Sequence, residues 1–370
     1  MVTMSLQFNG LTLFPTTLSY RGQGGAPGGL SCGAAGAVTT LTHVRSFGTI
    51  LPAVDGWCAA EGVRYASRRP YPERCRMIVR NKPRIWELAF ALRGSVVPHI
   101  AGPLLSLVLI AGALVWLEQS YHPLPAIDAT PFTVFGIALS LFLGFRNNAA
   151  YDRWWEARRL WGGLLADLRS FAREARLFVQ DEPLRREMLE VALSFLHLHR
   201  ASLRRRTEAI EDGLAEFRDA AHPPDAALDR LGQLMAGALA RGAIDGFGAR
   251  TLSARLSSMA LQQAGCERIA GTPLPFVYSL LIYRTTYLYC LMLPLALIGA
   301  AGWLTPLFVG VAAYVFLGLA EVSEELSQPF GDNVNALPLD AICRAAEISL
   351  APHLGQQAPA PLLPKDFHLT

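Results

Sequence analysis

Gly94 to Leu117, Pro131 to Phe145 and Thr285 to Ala320 are predominantly apolar stretches that carry no Asp, Glu, Lys or Arg. A helix crosses a hydrocarbon layer about 30 Å thick with about 20 predominantly apolar residues, so stretches of this length and composition are read as membrane segments. The chain of 370 residues is 52% hydrophobic and only 17% charged, and the charge is gathered from Arg146 to Arg268. That distribution predicts a water-exposed helical domain inserted between two hydrophobic pairs. The net charge of +3 is too small for a nucleic-acid partner.

Charge placement orients the segments. Arg76, Arg80, Lys82, Arg84 and Arg93 precede the first span, and Arg146, Arg153, Arg158 and Arg159 follow the second, whereas Glu118 to Thr130 has no Lys or Arg. Basic residues near short loops favour the cytoplasmic side, so the 118–130 loop faces outward. The turn Gly299-Ala300-Ala301-Gly302 divides the later apolar region in two. Four spans follow, at about 95–117, 131–150, 273–298 and 302–320, around a cytoplasmic helical insert at about 151–268, with both termini cytoplasmic. Trp86, Trp116, Trp154, Trp155 and Trp161 fall near these boundaries, where amphipathic rings sit well at headgroup level, although core packing would suit some of them equally. Cys32, Cys58, Cys75, Cys266, Cys290 and Cys343 show no metal-ligand spacing and are expected to be reduced.

Residues 1–76 are Gly-rich, lack periodicity, and carry no basic residue before Arg21, unlike a secretory signal. They are either a disordered leader or a segment ahead of a true translation start at Met77. Residues 351–370 are expected to be a disordered tail.

The second span is short: Pro131 to Phe145 rises only about 22 Å as a helix. It suits a helix shielded by an assembly and continuing into the cytoplasmic domain. Ile137, Leu141 and Phe145 share one face at i, i+4, i+8, and about 100° away Gly136, Ser140 and Gly144 form a small-residue stripe. Around an axis, the small stripe would admit a neighbouring helix while the apolar stripe projects three rings inward, a gate that works by wetting and dewetting. Packing inside a monomeric bundle explains both stripes as well. Arg146, Asn147 and Asn148 follow as either an ion-attracting mouth or a snorkelling helix end.

The run from Phe142 to Gly162, FLGFRNNAAYDRWWEARRLWG, resembles the signature of bestrophins, specifically their bacterial homologues. Gly265 to Phe276, Tyr283 to Leu288 and Pro329 to Asp340 agree with it, so the resemblance covers about 77–350. It implies an all-α membrane protein: a homopentameric ion channel with four membrane-spanning regions per subunit and a helical cytoplasmic domain, in a bacterial inner membrane. Its implied pore neck lies on the second membrane helix at Ile137, Leu141 and Phe145. A second constriction at the cytoplasmic exit falls on Phe247, with Ile244 the competing position. Animal members bind calcium at an acidic cluster after Pro-Phe-Gly; here Pro329-Phe330-Gly331 is followed by Asp332, Asn333, Val334, Asn335 and Ala336. One carboxylate is poor for an ion that takes six to eight oxygens, so no calcium requirement is expected. Glu321, Glu324 and Glu325, just upstream, are read as solvated helix-end charges.

No Gly-rich phosphate loop or nucleophile elbow appears, and His197 and His199, two apart, point about 200° away from each other on a helix. No catalytic residue, metal ligand or cofactor is assigned. Arg284, inside an apolar segment, is expected to pair with Glu267 or Glu321 or to lie near the interface, with pore lining the alternative. Arg204-Arg205-Arg206 is read as solvated surface. The implied function is passive electrodiffusion with self, lipid and inorganic ions as partners. Anions, chloride first, are favoured over monovalent cations such as sodium, and a membrane-anchored helical interaction protein is the non-conducting alternative.

Overall fold

The computed structural model describes residues 77–78, 95–121, 127–205, 216–364 and 368–369. The 1–76 leader, Arg80, Lys82, Arg84, Arg93, Trp86 and Arg206 lie outside the described residues, as do Cys32, Cys58 and Cys75. Among the described residues, eight α-helices carry the fold: α1 (Val97–Ser120), α2 (Thr130–Phe178), α3 (Glu182–Leu203), α4 (Pro223–Ala240), α5 (Gly246–Gly271), α6 (Phe276–Ala301), α7 (Thr305–Ser327) and α8 (Leu339–Leu350). A two-residue strand β1 (Met77–Ile78) pairs antiparallel with β2 (His368–Leu369).

Local chemistry sets the helix starts. The Asp128 carboxylate accepts from the Thr130 N–H at 3.0 Å, Asp181 accepts from Leu184 at 3.3 Å and Asp245 from Gly248 at 2.7 Å, each satisfying a donor that the helix itself leaves open. Proline opens α2, α3 and α4, where its missing N–H costs nothing. The predicted turn after α6 is made by Gly302, whose φ of +51° is accessible to glycine without a Cβ clash.

Among the described residues, two segments are long and apolar enough to cross a membrane, α1 and the α6–α7 hairpin, and only 22% of the apolar 18-residue window in each is buried within the subunit. A core helix of a soluble protein would be mostly buried, so these surfaces require lipid or protein around them. Their common core is built by Leu107 and Ala111 of α1, Cys290 and Leu293 of α6, and Val309 and Ala313 of α7. The 49-residue α2 rises about 73 Å and runs without a break from this bundle into a polar domain formed with α3, α4, α5 and α8. There Trp161, Leu164, Leu168 and Phe171 of α2 pack against Met188, Phe195, Leu231 and Leu252.

Several expectations are corrected here. Trp161 is fully buried in the polar-domain core, so it anchors packing and no membrane interface. Arg204 is nearly buried and donates to Asp340 Oδ2 at 2.8 Å, beside Arg200 on Oδ1 at 3.0 Å; the start of α8 supplies the carboxylate that draws it off the surface. The 351–370 tail opens with a 3-10 turn at Ala351–His353. Ala351 and Leu354 are buried because the apolar face of α8 continues into them. Cys266, Cys290 and Cys343 are free and buried.

His197 and His199 diverge. His197 Nε2 lies 3.1 Å from a Glu347 carboxylate, whereas His199 is wholly buried between the rings of Trp161 and Phe195, at 5.5 and 5.9 Å. Burial, with a smaller push from His222, lowers the His199 pKa from 6.5 to about 3. The folded protein therefore keeps this ring neutral below pH 6.5 while the unfolded chain protonates it. Stability is complete above about 6.5 and falls as pH drops towards 3, by up to about 1.4 kcal/mol per pH unit. The melting temperature is expected to be lower at pH 5 than at pH 7.5, and His199→Phe should narrow that difference; an equal difference in both proteins contradicts the assignment.

Candidate functional site: the exposed face of the long helix

What fixes the rotation of α2 is its buried stripe, Leu139, Leu143, Arg146 and Ala150. Arg146 is a surprise at such a position. It is 6% exposed and sits where α2 meets the ends of α6 and α7, donating Nη1 to the Ala320 carbonyl at 3.1 Å and Nη2 to Ser279 Oγ at 2.9 Å. Nη2 also pairs with the Glu324 carboxylate. Arg146 is thus neither an ion-attracting mouth nor a snorkelling end, and Glu324 is not merely a solvated charge. Two turns on, Arg153 donates to Ser327 O at 2.7 Å, to Thr272 O at 2.7 Å and to Ile269 O. One guanidinium so collects carbonyls that α5 and α7 leave open at their C-termini. Trp154 adds a bond to Asn335 O at 2.8 Å.

With that side held, the opposite side of α2 is bare. Ile137, Leu141 and Phe145 are 65%, 56% and 61% exposed, one line of large apolar side chains that the subunit does not cover. Beside the line, a groove of about 570 Å³ between α2 and α6 is lined by Phe135, Phe142, Phe145, Tyr278, Leu281 and Arg146. The small-residue stripe divides in its contacts. A Cβ on Gly136 would come 2.8 Å from Tyr289 Oη of α6, so this glycine admits a neighbour within its own chain, whereas Gly144 has open space and Ser140 is exposed, its hydroxyl donating to Ile137 O at 2.8 Å.

At the far end of α2, the two competing positions for a second constriction separate. Ile244 is 3% exposed and belongs to the polar-domain core, so it faces no pore. Phe247 is 80% exposed on the first turn of α5. Its placement is local: Asp245 caps the helix, and Gly248 lets the turn close on Phe178, whose Cβ would lie 2.8 Å from an added Cβ. The two candidate narrowings are thus about 50 Å apart along α2. Leu177, Leu239 and Leu261 are also exposed in the polar domain.

Other expected contacts fail. Arg284 is exposed on α6, and among the described residues neither Glu267 nor Glu321 pairs with it. Glu267 takes Gln263 at 2.8 Å and His222 at 3.3 Å, and Glu321 accepts from Tyr283 Oη at 3.2 Å. Glu325 accepts from Asn335 Nδ2 at 2.6 Å, so it is not a free helix-end charge. The loop after Pro329-Phe330-Gly331 folds back through Asn333, which donates to Glu325 O at 3.0 Å and Gln328 O at 3.1 Å. Sequence reasoning missed Arg146 and Arg153 as structural anchors because their carbonyl and carboxylate partners lie far along the chain.

Comparison with known proteins gives a consistent result. The family described as bacterial/fungal bestrophin protein matches residues 77–352. A protein of Mesorhizobium japonicum, named a voltage-dependent anion channel-forming protein, is 44% identical over 310 residues, covering 81% of this chain and 100% of its own length. The voltage-dependent anion channel-forming protein YneE of Escherichia coli K12 is 37% identical over 306 residues, covering 80% and 100%. The crystal structure of a bacterial bestrophin homologue from Klebsiella pneumoniae is 32% identical with a TM-score of 0.66, covering 70% of this chain and 99% of that one.

Removing the Glu324 carboxylate leaves the Arg146 guanidinium buried without its counter-charge. Glu324→Ala is expected to cost about 3 kcal/mol and to lower the melting temperature of the detergent-solubilised protein. The double variant Arg146→Met/Glu324→Met should melt above the single variant. A single variant that melts with the wild type contradicts the anchor.

Proposed function

The chain belongs to the bacterial and fungal bestrophin family, and from that premise we propose that it forms a homopentameric anion channel whose pore is lined by the exposed stripe of α2. It is a membrane protein and not an enzyme; the family relatives are channel-forming proteins. The observation that carries the reading is the pairing of a held face with a bare one: Arg146 and Arg153 lock one side of α2 into the subunit, and Ile137, Leu141 and Phe145 are left uncovered on the other. Copies of α2 around an axis turn these residues into three stacked apolar rings, with Gly144 and Ser140 where neighbouring helices approach. Phe247 forms the second narrowing near the other end of the same path.

The apolar residues left exposed in the polar domain, Leu177, Leu239 and Leu261, support self-association independently of the membrane segments. Arg284 has the same requirement, since a guanidinium on an apolar membrane helix has to meet protein, water or headgroups. The clustering of Arg153, Arg158 and Arg159 at the end of the second span supports a cytoplasmic polar domain, with both termini of the 77–350 channel region on the same side. The host membrane is then a bacterial inner membrane.

An apolar ring passes ions by letting water in and holding it thinly. No formal charge in the rings selects a sign; the positive edges of Phe145 and Phe247 favour anions, chloride being the permeant ion at hand. Protein reconstituted in planar bilayers under a potassium chloride gradient is expected to conduct with a reversal potential displaced towards the chloride equilibrium value, and Leu141→Ala should raise the conductance. Displacement towards the potassium value gives a cation channel, and the absence of any current removes the channel reading.

A further inference from the structure

His99 on the first turn of α1 and Glu321 and Glu325 on the last turns of α7 each offer a ligand atom, and these atoms lie within 4.8 Å of one another. The residues are brought together by close helix packing: a Cβ on Gly318 of α7 would lie 3.5 Å from Val96 and 3.8 Å from Ile100. None of the three stands on the open surface. We propose that they form a binding site for a divalent transition-metal ion of the zinc class, tying α1 to α7.

The donor set selects the ion. One imidazole nitrogen and two carboxylates suit zinc, cobalt or manganese, whereas calcium and magnesium take oxygen donors almost alone. Three protein ligands leave a fourth position for water. Metal–ligand bonds of about 2.0–2.2 Å set tetrahedral ligand atoms about 3.5 Å apart, so the cluster closes on an ion by rotamer adjustment without moving a helix. A dication also neutralises two carboxylates one helical turn apart, which repel each other when they are partly withdrawn from water.

An outer set of partners is already in place. Tyr283 Oη donates to Glu321 Oε2 at 3.2 Å and Asn335 Nδ2 to Glu325 Oε2 at 2.6 Å, each orienting a carboxylate as outer partners of metal ligands do. Asn335 carries the connection further, because its carbonyl accepts from Trp154 Nε1 on α2 at 2.8 Å. A bound ion therefore stiffens a chain of contacts running from α1 through α7 and the 329–336 loop to the helix proposed to line the pore. Its ligands come from α1 and α7 and none lies in the Asp332 to Ala336 segment, which contributes only Asn335 as an outer partner.

Binding does not depend on the channel reading; only an effect on current rests on it. The full chain in detergent, stripped with a chelator, is titrated with cobalt and then zinc. One ion per chain is expected, with the visible absorption of low-coordinate cobalt and a rise in melting temperature with zinc. His99→Ala and Glu325→Gln should each weaken binding at least about tenfold, and Asn335→Ala by about 10- to 100-fold. Equal affinity in wild type and both ligand variants overturns the site, as does displacement of zinc by millimolar calcium, a measurement made on the wild type alone. In bilayers, micromolar zinc should alter the wild-type current and leave that of His99→Ala unchanged; current without any zinc response, with binding intact, overturns the link to α2, whereas absent current bears on the channel reading.

Discussion

The fold depends on holding one helix in two media at once. α2 begins in the apolar bundle and ends in the polar domain, and its rotation about its own axis decides which side chains are left bare over that whole length. Hydrophobic contact alone is a weak guide to rotation where both the protein interior and the lipid are apolar. The Arg146 guanidinium, buried against Ala320, Ser279 and Glu324, supplies what packing lacks: a directional contact whose loss strands a charge. Arg153 repeats the device two turns on with the carbonyl ends of α5 and α7. Rotating α2 by one residue would break both sets together.

That constraint explains why much of the architecture is legible in the sequence. Membrane blocks are visible because charge is excluded from them, and the polar domain because charge is restored. The stripe Ile137, Leu141, Phe145 is visible from its spacing of four, and the structure leaves those three residues uncovered. What spacing does not carry is the identity of the partner across space. Arg146 reads locally as the wet end of a membrane helix, since nothing near it in the chain suggests Glu324. Phe247 and its competitor Ile244 are only three residues apart, and it is the turn through Asp245 and Gly248 that sends Ile244 into the core and Phe247 into solvent. Gly136 reads as a contact between copies or as packing within one bundle, and its space is taken by Tyr289 of its own chain. Arg284 reads as one half of an ion pair whose intended partners are engaged elsewhere.

The proposed pore is apolar where it is narrow, and this separates gating from selection. Aliphatic rings at Ile137 and Leu141 set a wetting threshold but present no field of either sign, leaving ion preference to the aromatic edges of Phe145 and Phe247 and to charge at the mouths. The loop after Pro329-Phe330-Gly331 is bonded to its own backbone through Asn333, so the segment that is acidic in animal relatives is here closed by amide hydrogen bonds. The acidic groups that remain close together, Glu321 and Glu325, face His99 instead.

The central claim, that the bare face of α2 meets water in a conducting assembly, is tested most directly by chemical access. Cysteine placed at Leu141→Cys and treated with a positively charged methanethiosulfonate reagent during recording should react from the aqueous side and reduce the current. The native Cys266, Cys290 and Cys343 are buried, and the wild type treated in parallel accounts for the remaining thiols. Loss of current in the variant alone is the expected result; a cysteine shown by mass to be fully modified while the current stays unchanged would contradict it.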